Sequence, residues 1–239
     1  MLISRNASLP EITGITLPRE NLGEMKNRGF ESLVSWQDKI GEVEYGASLN
    51  MTYARNEITF WDEVQNVPEY QFSTGRPVGS RNMLLYVADG IFHTQAEIDE
   101  ARAKGLLYSD NTVPGDIRFK DMNGDGVIDE NDIVYLGNSN PTLTGGLNFT
   151  LRYKKVSLVA AFHGRAGQKV INQARMDMEN MRGKNNQSVA VLRRWRSEGD
   201  DTDIPRALYD KGYNYLGSDR FVEDASFLRL KTVTLKYQM

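Results

Sequence analysis

The sequence has no cysteine and only two histidines, His93 and His163, in 239 residues. Without cysteine there is no disulfide, no thiolate metal site and no cysteine nucleophile, a composition also compatible with an oxidising compartment. His163 falls on the polar side of a candidate strand and His93 just precedes a helix start, so neither reads as a general base. No serine sits in a nucleophile-elbow sequence, and no glycine-rich phosphate loop is present. The 32 acidic residues show no spacing that singles out a catalytic carboxylate pair. The chain therefore reads as a non-enzyme.

An excess of one charge is missing too. Lys and Arg total 29 against 32 Asp and Glu, a formal net charge of -3. Charge-driven nucleic-acid binding calls for a basic domain, so no nucleic-acid partner is expected. Long apolar runs are also lacking. No segment approaches the ~18 apolar residues of a transmembrane helix, and Arg5 and Asn6 break any signal-peptide core in residues 1–10. The mean hydropathy of -0.51 does not exclude membrane strands, because such a strand needs apolar residues only at every second position.

What is present is period-two alternation. In 43–54, Tyr45, Ala47, Leu49, Met51 and Tyr53 share one face, and Gly46, Ser48, Asn50 and Thr52 the other. In 142–153, Leu143, Leu147, Phe149, Leu151 and Tyr153 oppose Thr144, Asn148, Thr150 and Arg152. Each pattern marks a strand with one apolar and one wet face. Weaker strands are expected over 29–37 (Phe30, Val34, Trp36) and 156–164 (Val156, Leu158, Ala160, Phe162). In 225–238, Leu228 and Leu230 are out of phase with Val233, Leu235 and Tyr237, which predicts a bulge near 231–232.

Short turns near 38–41 and 154–155 join two hairpins, whereas the connections 55–141 and 165–224 are long. Compact soluble domains seldom hold such loops. Short turns at one end, long loops at the other, and tyrosines at strand ends (Tyr45, Tyr53, Tyr153, Tyr237) fit an outer-membrane barrel wall. The expected fold class is all-β: an incomplete antiparallel transmembrane β-barrel sector of about five or six strands spanning residues 1–239, with long extracellular loops containing short helices. A secreted, calcium-stabilised β-sandwich that binds glycan or protein alternates for the same reason and stays open at this point. Two helices are expected in the loops. One covers 95–103, where Thr94 and Glu97 form a capping box. The other covers 187–197, with Val189, Leu192 and Trp195 on one face and Arg193, Arg194 and Arg196 outward. Trp61, Tyr70, Tyr86 and Phe92 are expected to pack the loops together, with stacking on sugars the other use of such rings.

One motif carries metal chemistry. Against the twelve-residue calcium loop, residues 121–132 place Asp121, Asn123 and Asp125 at positions one, three and five. Gly126 supplies the sharp turn, Val127 a backbone carbonyl, and Asp129 a ligand that often acts through water. Asp132 takes the last position, one methylene shorter than the usual Glu. An oxygen-only donor set without His or Cys selects Ca²⁺ as the expected structural cofactor. The same residues also favour turns that hold no metal. The flanks 115–120 and 133–137 are strand-like, which fits a clip on a long loop better than a helix-flanked sensor.

The run 114–121, the calcium-type loop, 137–141 and then Gly145, Gly146 and Leu147 resemble the SusC/RagA family of TonB-dependent outer-membrane receptors. Residues 17–23 with 27–31, residues 86–92 and residues 221–231 resemble the family in the same order, so the likeness covers essentially the whole chain. The resemblance implies the outer membrane of a Gram-negative, Bacteroidetes-type cell, contact with outer-membrane lipids, and import of an oligosaccharide or peptide. It also implies a SusD-like surface lipoprotein and TonB as partners of the full-length receptor. The family's plug domain and TonB-contact box are not recognisable here, and its barrels use about twenty-two strands. The resemblance thus implies one sector of a wall.

Overall fold

The computed structural model describes residues 3–4, 19–20, 23–63, 66–181, 186–208 and 213–239. Most of residues 1–10, and most of the 17–23 stretch used for the family resemblance, lie outside these. Five long strands dominate: β1 (Glu24–Ile40), β2 (Val43–Phe60), β3 (Leu143–Tyr153), β4 (Val156–Ala166) and β5 (Phe227–Tyr237). They form one antiparallel sheet in sequence order, with β1 and β5 at its edges. The first two strands extend well beyond the 29–37 and 43–54 expected, because their ladder continues past the apolar alternation into Lys26, Arg28, Arg55 and Glu57. Gly41 (φ 60) and Lys154 (φ 52) adopt the left-handed conformation in the two short turns.

The register aligns the apolar positions of all five strands on one face. One ladder row reads Val34, Leu49, Leu147, Phe162 and Leu230; another reads Trp36, Ala47, Phe149, Ala160 and Val233. The turn end closes with Ile40, Val43, Tyr153, Val156 and Tyr237, and the loop end with Phe30, Tyr53 and Leu143. From Phe30 to Ile40 this band is about 25 Å tall at a ~40° tilt, the height of a barrel's lipid-facing belt. The opposite face carries polar rows such as Ser35, Ser48, Asn148, Ala161 and Thr232. The predicted bulge is present: Ala161 pairs with Thr232 and Phe162 with Leu230, so Lys231 is left over. That extra residue brings the two halves of β5 onto one apolar face.

The apolar face is exposed, with Val34 at 63%, Trp36 at 62% and Leu235 at 72%. The other sheets among the described residues are two-stranded, and no second large sheet covers it, as a sandwich would require.

The buried core lies elsewhere. Tyr86, Ile91, Ile117, Phe119, Ile128 and Tyr213 form one cluster, and Met181, Val191 and Ile204 another. All come from the two long connections, which are therefore one packed layer. Short pairings organise it: Ala88–Ile91 with Ile117–Phe119, Leu84–Leu85 with Val134–Tyr135, and Lys169–Ile171 with Val222–Asp224. Helix α1 (Gln95–Ala103) forms as expected, with Thr94 accepting from the Glu97 amide. The Glu97 carboxylate instead accepts from the His93 amide at 2.9 Å, one residue before the anticipated partner.

Two expectations for this layer need correction. Residues 187–197 do not form a helix; only a 3-10 turn at Val189–Arg193 does. Arg194 turns extended, and the Trp195 amide donates to the Ile204 carbonyl at 2.9 Å. Long-range pairing thus takes the backbone that a helix would have used, and Val191 is buried while Val189 and Leu192 stay exposed. A helix the sequence reading missed, α2 (Gln173–Glu179), is capped by Asn172, whose side chain accepts from the Arg175 amide, and carries an Arg175–Glu179 ion pair at 3.0 Å.

Candidate functional site

The calcium-type loop projects from the loop layer, with its apolar residue Ile128 driven into the main core at 4% exposure. Gly124 (φ 74) and Gly126 (φ 83) supply the left-handed turns, which a Cβ would strain. Asp121 accepts from the Gly124 amide at 2.6 Å and the Gly126 amide at 2.9 Å. These amide bonds, the Gly126 one foremost, hold its carboxyl below the ordinary aspartate range. Asn123 accepts from the Asp125 amide at 3.0 Å, and Asp125 from the Val127 amide at 2.9 Å. Asp129 accepts from the Asn131 amide at 2.7 Å. Asp132 is fully buried and spans the loop, taking the Met122 amide at 2.7 Å and the Asp129 amide at 2.8 Å.

All five predicted side-chain ligands therefore sit in one hydrogen-bonded loop, and Val127 follows Gly126 on its exposed side. Among the described residues, however, no three His, Cys, Asp or Glu side chains converge as a metal-holding group. The carboxylates are aimed by peptide N–H groups, and each oxygen so engaged keeps acceptor capacity for a cation. The residues fit a hard ion by donor type and turn geometry; convergence on one point is not part of the arrangement.

Residues remote in sequence seat the loop. Tyr70 donates its hydroxyl to the Asn131 carbonyl, and Gln71 donates to the Glu130 and Ile133 carbonyls at 2.8 and 3.0 Å. Burial, then the negative charges of Asp132, Asp125, Asp129 and Asp121, push the Tyr70 hydroxyl above its ordinary pKa. From the other side, Gly105 (φ 78) lies so close that a Cβ there would fall 2.2 Å from the Gly126 carbonyl oxygen. Sequence reasoning took Tyr70 as a packing aromatic and passed over Gln71 and Gly105. No local signal marks them, since the partners are about sixty residues away for Tyr70 and Gln71.

The two long connections are locked together at Asp116, 1% exposed. Its carboxylate accepts from Arg206 Nε at 2.6 Å and Nη2 at 3.3 Å, from Asn214 Nδ2 at 3.0 Å, and from the Val113 amide at 3.0 Å. Asn214 in turn accepts from the Ile117 amide at 2.8 Å, and the Tyr213 hydroxyl donates to Thr112 Oγ1 at 2.8 Å. Tyr86 and Phe92 are buried in this layer, Tyr86 stacked at a tilt on Phe119 with centroids 5.1 Å apart, so both rings pack rather than face solvent.

A sheet apolar on one face for the height of a bilayer core, capped at one end by an interlocked loop layer, defines an outer-membrane barrel wall. The comparisons place it more narrowly. TonB-dependent receptor P26 of Formosa agariphila is 31% identical over 246 residues, covering 98% of this chain and 24% of that protein. TonB-dependent receptor SusC of Bacteroides thetaiotaomicron is 25% identical, covering 91% of this chain and 21% of that protein. In structure, the chain matches the RagAB peptide transporter with a TM-score of 0.69 and 25% identity, over 98% of this chain and 25% of that one. No family model matches the chain. The chain spans about a quarter of the relatives it matches, 24% of P26 and 25% of the transporter chain. It is a SusC/RagA-type segment of a TonB-dependent receptor, and its setting is the outer membrane.

Proposed function

We propose that this chain forms one sector of the wall of a TonB-dependent importer for large nutrients, an oligosaccharide or a peptide. The observation that carries this reading is the continuous apolar face across all five strands, with polar rows behind it and the packed loop layer at one end. The short turns then face the periplasm and the loop layer the exterior, where a SusD-like lipoprotein would cover it. TonB would act from the periplasmic side, through parts of the receptor other than these strands. The chain's role is structural and not catalytic: it walls the pore and shapes its outer mouth. The test is growth of a strain lacking the gene that encodes this segment, on a panel of single polysaccharides and protein digests. Loss of growth on one polymer class, restored by the intact gene, is expected; unimpaired growth and uptake across both classes would refute import.

We assign Ca²⁺ to residues 121–132, with Asp121, Asn123, Asp125 and Asp132 offering side-chain oxygens, Val127 its carbonyl, and Asp129 a contact through water. Support comes from the oxygen-only donors, the left-handed glycines and the amide-oriented carboxylates. When bound, the ion would offset half of the charge of the four aspartates and pin the loop between Tyr70 and Gly105. Affinity on the order of 10⁻⁴–10⁻³ M suffices outside a cell. Asp125→Ala is expected to weaken calcium binding in a calorimetric titration and to speed hydrogen exchange across 115–140. Identical titrations of the two proteins would remove the metal from the account.

A further inference from the structure

The apolar band ends abruptly at its loop end. Phe30 and Tyr53 stack there with ring centroids 5.7 Å apart, and the next two rows on the same face are Arg28 opposite Arg55 and Lys26 opposite Glu57. Two arginines directly opposite on neighbouring strands repel each other. Lys26, Arg28 and Arg55 make no ion pair or side-chain hydrogen bond among the described residues, although elsewhere the sheet pairs its charges, as in Lys39–Glu44 at 3.2 Å and Lys154–Glu42 at 3.0 Å. These residues, with Phe30, Tyr53 and Glu57, line a pocket of about 390 Å³. Three cations and one carboxylate thus stand together just above the Phe30–Tyr53 pair.

An apolar groove lies lower on the same face and further across the sheet, on β3 and β4. Gly145 and Gly164 face each other on β3 and β4, in a row flanked by Met51 and Leu228. The missing side chains leave a groove of about 260 Å³, bordered by Leu147 and Phe162 below and Leu143 above. Leu143 is the ladder partner of Tyr53, so groove and cationic pocket adjoin. A cationic pocket at the interface above a groove in the hydrocarbon band has the shape of one amphiphile.

We propose that this surface binds a phosphorylated glycolipid of the outer leaflet, of the lipid A class. Arg28 and Arg55 grip its phosphate, Lys26 adds a third positive charge, and an acyl chain fills the groove at Gly145 and Gly164. Guanidinium forks suit phosphate because they donate two parallel hydrogen bonds. The choice of the outer leaflet rests on the orientation proposed above, with the loop layer outside.

The test is native mass spectrometry of the full-length receptor carrying this segment, in maltoside micelles free of phosphate. It is offered diphosphoryl lipid A, its dephosphorylated form, or inorganic phosphate as competitor. Binding of the diphosphoryl lipid is expected to exceed that of the dephosphorylated lipid by about tenfold or more, and Arg28→Gln/Arg55→Gln is expected to lose that advantage. Equal binding of the two lipids by the unaltered receptor would overturn the proposal without recourse to any variant. So would displacement of the lipid by inorganic phosphate at matching concentration, which would mean a free-anion site. Heat-modifiable migration of the barrel on gels is recorded alongside. Its loss in the unaltered receptor would remove the barrel reading itself, whereas a folded barrel indifferent to the lipid phosphate removes only this site.

Discussion

The sheet and the loop layer solve the same problem in opposite ways. In the sheet the large apolar side chains point outward, as with Val34, Trp36, Leu230 and Leu235, and the bilayer supplies the apolar surroundings that a core would otherwise provide. In the loop layer the apolar side chains point inward, and Ile98, Ile117 and Phe119 are 5% exposed or less. The sheet holds its order by backbone ladders that continue from strand to strand. The loop layer, with few long ladders, depends on side-chain networks such as that at Asp116. One part is thus specified by periodicity and the other by particular contacts.

Substitutions should separate the two. The largest effect is expected for Asp116→Ala, which leaves Arg206 and Asn214 without their acceptor. Arg206 is 29% exposed and keeps some water, so the cost should be about 3 kcal/mol, the lower end for a broken buried pair. Hydrogen exchange should rise across 112–119 and 204–208 while β2–β4 remain protected; equal loss in the sheet would show that the two parts do not fold as separate units. Leu49→Arg, near the middle of the lipid-facing band, should cost about 2 kcal/mol of unfolding free energy in vesicles, the lower end for a charge on the lipid face. Asn148→Lys, at similar depth on the polar face, should stay within about 0.5 kcal/mol. Comparable penalties at the two positions would mean that the faces have been assigned wrongly. The smallest effect should come from Thr94→Ala, which removes the acceptor for the Glu97 amide and should weaken α1 locally by about 1 kcal/mol. Exchange rates in 95–103 against the rest of the layer measure it.

The same contrast explains what could be read from residues alone. β3 and β4 were legible almost to the residue because alternation is a local property. So was the bulge at Lys231, since a phase break between Leu230 and Val233 has few other remedies. The extensions of β1 and β2 were not legible, because Lys26, Arg28, Arg55 and Glu57 carry no apolar period; they are strand only because the ladder already begun below them continues. The helix expected at 187–197 failed for the converse reason: a plausible local pattern lost its backbone to Ile204, a partner nine residues beyond Trp195 in sequence. In the calcium-type loop, the order of donors and the two glycines were legible, whereas Tyr70, Gln71 and Gly105, which seat it, come from segments with no motif.

The sequence by itself determined the all-β class, the lipid-facing and polar faces, the short and long connections, and the acidic loop at 121–132, because each follows from residue type at fixed short spacing. Only the tertiary structure decided that the two long connections form a single layer around Asp116, and that Arg28 and Arg55 stand opposed above the apolar band. Those arrangements rest on contacts between segments tens of residues apart, and no local periodicity encodes which distant partner a buried carboxylate or a ladder position will meet.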